Sequence, residues 1–181
     1  MRPKLSGIVL FLAISSSVAA ASSGHPTHEP HVHGIAALNV IVEKNAVHLA
    51  LESPAMNLLG FEHAPVTDEQ KAAYQATQQK LTEASKLFAF PGANCQLESS
   101  NIQMLEKHAH ADHDGHEHSG EHADVDADYR FNCSRIQELR EIRIHLFTVF
   151  PGIQQIKAQW ITGRSQGIKT LTPATNHLQL K

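Results

Sequence analysis

The chain has 181 residues, with 15 Lys+Arg against 18 Asp+Glu for a formal charge of −3, and an apolar fraction of 41%. That apolar share suffices for a packed core and excludes wholesale disorder. With no Lys/Arg cluster, phosphate-backbone binding has no electrostatic basis, which excludes nucleic acid as a partner. Histidine is the outlier, at 14 residues, and a functional reading has to employ it.

In chain order, Arg2 and Lys4 precede an apolar run from Leu5 to Val18, and Ala19, Ala20 and Ala21 supply the small residues of a cleavage site. This layout predicts a signal peptide over 1–20, because the run is too short for a comfortable membrane span of ~20 residues. The mature protein is then expected outside the cytoplasm with no membrane span. The alternative is an uncleaved anchor. Residues 21–34 read as an extended arm in which His25, His28, His31 and His33 are interleaved with Pro26 and Pro30.

Ile35 to Glu43 alternates without a polar face and predicts a strand buried on both sides. Lys44-Asn45 makes a turn, and Val47 to Leu51 completes a β-hairpin. Pro54, Gly60 and Pro65 make Ser53 to Pro65 an irregular connector. Thr67 with Gln70 three residues on forms a capping box. Beyond it Tyr74, Thr77, Leu81, Ala84 and Phe88 share one helical face, so a single helix is expected up to the Phe90-Pro91-Gly92 stop.

Ala93 to Leu105 reads as a strand, and Asp126 to Cys133 as another. A short helical turn at 134–138 is expected next. The alternation of Ile142, Ile144, Leu146, Thr148 and Phe150 favours a strand over a helix at 139–147. Phe150-Pro151-Gly152 is a second stop, and Ile156–Ile161, Gly167–Leu171 and His177–Leu180 extend a run of short antiparallel strands. Taken together, these elements predict an α+β fold: mostly antiparallel β-sheet with one long helix and a disordered His-rich insertion.

That insertion is 107–122, with His108, His110, His113, His116, His118 and His122 beside the carboxylates of Asp112, Asp114, Glu117 and Glu121. Its only apolar residues, Ala109 and Ala111, cannot offset an ordering entropy of ~1–2 kcal/mol per residue. The two cysteines, Cys95 and Cys133, flank it. In an oxidising compartment a disulfide is expected, closing a loop around the insertion and worth roughly 3–4 kcal/mol. The alternative is a pair of thiolates completing a zinc site.

Imidazole nitrogen and carboxylate oxygen are zinc's usual ligands at ~2.0–2.2 Å when thiolate is absent. In extended backbone residues i and i+2 project to one side, so His31/His33, His108/His110 and His116/His118 are each a two-pronged grip. His113/His116 adds a pair that meets in a helical turn. Cu(II) and Ni(II) also favour imidazole, leaving a copper or nickel buffer as an alternative. The bland alternative is a solvated polar loop. His48, His145 and His177 stand alone in strand patterns and are expected to be structural.

His31-Val32-His33-Gly34, Ser53-Pro54-Ala55-Met56-Asn57 and Gly60-Phe61-Glu62-His63-Ala64-Pro65 together resemble the ZrgA family. So do Cys95, the His-rich insertion, Cys133 and Phe150-Pro151-Gly152, and the likeness runs from about His31 to Leu180. The resemblance implies a periplasmic zinc-binding protein that assists zinc uptake beside an ABC importer or its binding protein. It marks His31 and His33, and with them Glu62 and His63, as motif positions. The expected organisation is a signal peptide at 1–20, an arm at 21–34 and one domain at 35–181 interrupted by 107–122. The expected cargo is Zn²⁺, bound by His31, His33, Glu62, His63 and the six histidines of the insertion. The enzymatic alternative, a zinc hydrolase with Glu62 as base, lacks HExxH and any nucleophile elbow. A structural, adhesin-like domain remains only for a chain indifferent to metal.

Overall fold

The computed structural model describes residues 32–106 and 123–180. The expected signal peptide at 1–20, the arm up to His31 and the insertion at 107–122 lie outside the described residues.

The hairpin expected from alternation is present as β1 (Ile35–Glu43) and β2 (Ala46–Pro54), paired antiparallel from Ala37↔Glu52 to Glu43↔Ala46. Lys44 adopts the left-handed region at φ 51 in the turn. Alternation sends Ala36, Leu38 and Val40 into the core together with Val47, Leu49 and Leu51. The expectation that β1 is buried on both faces is not met: Asn39 is exposed and Ile41 is 47% exposed. Only one face of its sheet packs against the rest of the protein, so apolar composition alone overstated its burial.

Pro54 leads into a short helix, α1 (Ala55–Leu59), where an irregular connector was expected. Gly60 ends it in the left-handed region at φ 81, donating its N–H to the Met56 carbonyl. The capping box at Thr67 and Gln70 opens α2 (Asp68–Thr82) as predicted, with both reciprocal hydrogen bonds formed. The predicted helix breaks at Glu83, however. A single turn, α3 (Ala84–Leu87), follows, and Phe88–Ala89 is already a short strand, β3. Leu81, Ala84 and Phe88 all reach the core, but Phe88 does so from extended backbone paired with Ile144.

The strand β4 (Cys95–Glu106) pairs antiparallel with β5 (Asp124–Cys133). A 3₁₀ turn at Ile136–Glu138 precedes β6 (Glu141–Ile144). The strand expected to run on to Phe150 stops there, and α4 (Leu146–Val149) replaces its second half. Leu146 and Phe147 are both buried; neighbouring residues can share one side of a helix end but not of a strand. Then come β7 (Gln155–Thr162), β8 (Gln166–Leu171) and β9 (His177–Gln179).

Among the described residues the nine strands form a six-stranded sheet, β4-β5-β2-β1-β7-β8, and a three-stranded sheet, β3-β6-β9. Pairing is antiparallel except between β1 and β7, which run parallel from Ile35↔Gln155 to Val42↔Thr162. The expected mostly antiparallel arrangement is present, and this one parallel pair is an addition to it. The two strands are far apart in sequence, and local alternation carries no information on direction. The fold is thus mostly β-sheet with few helices. Its core lies between the inner face of the large sheet and the layer of helices and small sheet. Leu38, Leu49, Leu51 and Phe131 meet Leu81, Leu87, Ile142, Ile144 and Phe150 there. Among the described residues no helix is long and apolar enough to cross a membrane.

Candidate metal site

His33 precedes Gly34, whose φ of +85 is a conformation that L side chains rarely adopt. That turn, closed by Ile35 N–H donating to the Val32 carbonyl at 3.0 Å, delivers the chain into β1. The Gly34 carbonyl accepts from the N–H groups of Gln154 and Gln155 at 2.8 and 2.9 Å, which begins the β1–β7 ladder.

On the other side of the turn lies Asn57 of α1, 5% exposed. Its Oδ1 accepts from Gly34 N–H at 2.6 Å. Its Nδ2 donates to the Ile35 carbonyl at 3.0 Å and to Ser53 Oγ at 3.1 Å. A buried amide is tolerated when its hydrogen bonds are made, and this one holds two strand-entry groups at once. Gly152 packs behind α1 so closely that a Cβ there would stand 2.3 Å from the Asn57 carbonyl oxygen.

From Asn57 the chain passes through Gly60 and the buried ring of Phe61 to Glu62. Glu62 Oε1 lies 2.9 Å from His33 Nε2, with side-chain exposures of 13% and 52%. Two ligand atoms on one tetrahedral zinc stand roughly 3.3–3.5 Å apart, given bonds of ~2.0–2.2 Å. The pair at 2.9 Å therefore has to open by only about half an ångström to take a zinc ion in place of the shared proton.

His63 faces elsewhere. Its Nδ1 donates to the Ala64 carbonyl at 2.8 Å, leaving Nε2 to accept from Gln70 Nε2 at 3.5 Å, and its ring lies 5.3 Å from that of Phe61. Gln70 is the same residue that closes the α2 capping box. Among the described residues, no group of three or more His, Cys, Asp and Glu side chains is placed to hold a metal. His31 and the histidines at 108, 110, 113, 116, 118 and 122 lie outside the described residues.

The cysteines answer their alternative. Cys95 and Cys133 are opposite one another in the β4–β5 register and form a disulfide, so neither is a thiolate ligand. His48, expected to be structural, accepts from Arg130 and lies 3.6 Å from Glu43 on the exposed face of the large sheet.

The model of the ZrgA family of zinc uptake proteins matches residues 30–180. The chain belongs to the ZrgA family. The match takes in His31, His33, Glu62 and His63, both cysteines and the insertion. No curated protein matches the chain. In this family member the residue that sequence reasoning passed over is Asn57, noted only as part of a motif. The available signal was an amide side chain inside the otherwise apolar Ala55-Met56-Asn57-Leu58-Leu59 stretch, where burial demands specific partners.

Proposed function

We propose that the protein is a periplasmic zinc-binding accessory that captures Zn²⁺ and passes it on to an ABC importer or its binding protein. Membership of a family of zinc uptake proteins carries this reading. The ordered His33–Glu62 pair supports a defined site in the folded part. His31, two residues before His33, is the nearest further ligand along the chain. His63 joins only if it gives up Gln70.

The histidines at 108, 110, 113, 116, 118 and 122 form the collecting segment, offering redundant imidazoles for weak capture and rapid exchange. In this organisation residues 1–20 direct export, 21–34 form the arm, and 35–181 are one domain interrupted by 107–122. Zn²⁺ is cargo here, and no step requires an open catalytic position on the metal.

Calorimetric titration of Zn²⁺ into the protein and into a variant lacking 107–122 tests this. One tight site surviving the deletion while weaker sites vanish is expected. Loss of all binding would mean that the folded part holds no site. Protonation of imidazole near pH ~6.5 competes with the metal, so affinity should fall between pH 7.5 and 5.5 by roughly tenfold for each histidine ligand. An unchanged affinity would overturn capture by imidazole.

A further inference from the structure

We propose that Asn57 is the positioning residue of the zinc site: one buried amide sets His33 against Glu62. The inference rests on the reading of those two side chains as ligands and identifies what holds them in place.

His33 is half exposed and meets Glu62 through its Nε2, and the reach of its ring to that carboxylate depends on the backbone from which it projects. Asn57 grips that backbone on both sides of the turn, through Gly34 N–H and the Ile35 carbonyl. Glu62 follows three residues after the end of the short helix that carries Asn57, past the Gly60 cap and the buried Phe61. Thus the helix from which the chain runs on to one ligand is hydrogen-bonded through Asn57 to the backbone next to the other. Both ends of the clamp are themselves fixed. Ser53 Oγ, fully buried, accepts the remaining Asn57 N–H. Gly152 leaves room for the α1 backbone that no larger residue would leave, with a Cβ meeting Asn57 O at 2.3 Å.

A metal site loses affinity when its ligands stray by about half an ångström, and loss of a supporting hydrogen bond typically costs 10–100-fold. Asn57, Ser53 and Gly152 therefore bring together backbone from three places distant in sequence, at Gly34 and Ile35, at Ser53 and Asn57, and at Gly152.

The test uses the full chain and Zn²⁺ alone. Diethyl pyrocarbonate modifies neutral imidazole and spares metal-bound imidazole, and tandem mass spectrometry reads each histidine separately. In the wild type, His33 is expected to be protected at low Zn²⁺. In Asn57→Ala the Zn²⁺ needed to protect His33 should rise about 10–100-fold, with the histidines of 107–122 unaffected.

Ser53→Ala removes the acceptor of one Asn57 N–H, together with the hydroxyl that donates to the Pro54 carbonyl, and should weaken His33 protection severalfold, so it carries the test if Asn57→Ala does not fold. Val47→Ala is the control for general destabilisation: Val47 is fully buried but lies six residues along β2 from Ser53, roughly 20 Å away. It should melt at lower temperature and protect His33 as the wild type does. Unchanged protection in both Asn57→Ala and Ser53→Ala overturns the positioning role while leaving the site intact. Equal weakening in Val47→Ala also overturns it. Failure of Zn²⁺ to protect His33 in the wild type removes the site itself, and the positioning role with it.

Discussion

Single residues tie the layers together, and Tyr129 shows how. Its hydroxyl donates to the Leu81 carbonyl at 2.9 Å, linking β5 to the last turn of α2. Burial, aided by the charge of Asp128, pushes the phenol's pKa up. A raised pKa means that the folded state holds the proton more firmly. Its contribution is complete below the ordinary phenol pKa of ~10 and is lost as pH rises beyond it. Tyr129→Phe is expected to cost about 1 kcal/mol near pH 7, and thermal melts should show the gap to wild type narrowing above pH ~10.

Glu141 has the opposite sign. A hydrogen bond from Arg143 holds its carboxyl below the usual range, so its small contribution is present at neutral pH and lost on acidification. At the proposed zinc site, Glu62→Gln preserves shape but removes the anionic oxygen. It should weaken Zn²⁺ protection of His33 at least tenfold, by analogy with losses of 10–100-fold at metal sites, while leaving the melting temperature almost unchanged. The motif residues His33 and Glu62 could be picked out in the sequence. Their contact could not, because 29 positions separate them and only the fold of α1 against the β1 entry closes that distance.

Elements were legible where local chemistry decides them. The capping box at Thr67 and Gln70 needs four adjacent residues and nothing else, and it forms as expected. The N-terminal turn of α2 also holds the Glu69 carboxyl below the usual range through its own backbone N–H and the Thr67 hydroxyl. Thr67→Ala should lower stability by about 1 kcal/mol, read as a reduced melting temperature with Zn²⁺ affinity unchanged.

Boundaries set by tertiary contacts were not legible. The Tyr74-to-Phe88 face satisfies a helical period, yet the chain leaves the helix at Glu83. Extended backbone at Phe88 gains pairing with Ile144 and an edge-on contact with Tyr129 at 5.4 Å. Likewise the alternation from Ile142 to Phe150 is a strand only as far as Ile144. His145 donates its N–H to the Leu87 carbonyl and turns the chain into α4. In both places a hydrogen bond to a distant segment outweighs a preference that sums only small local terms.

At the scale of the molecule, β4 and β5 lead out to and back from the insertion, and the Cys95–Cys133 disulfide closes their far end across a sequence separation of 38. In the chain-entropy model such a closure is worth roughly 4 kcal/mol. Reduction, or Cys95→Ser with Cys133→Ser, should lower the denaturation free energy by about that amount. The proposed His33–Glu62 site, formed by the turn before β1 and the bend after α1, should keep its Zn²⁺ affinity under conditions where the reduced protein stays folded.

The amino-acid sequence by itself determined the hairpin, the capped helix, the strands around the cysteines and the histidine chemistry that points to zinc. Each of these depends on residue types a few positions apart. Only the tertiary structure decided that β1 and β7 run parallel, that one face of β1 is exposed, and that His33 meets Glu62 beneath the hydrogen bonds of Asn57. Those outcomes depend on which distant segments become neighbours. That choice is made by burying one shared core and satisfying the polar groups trapped beside it.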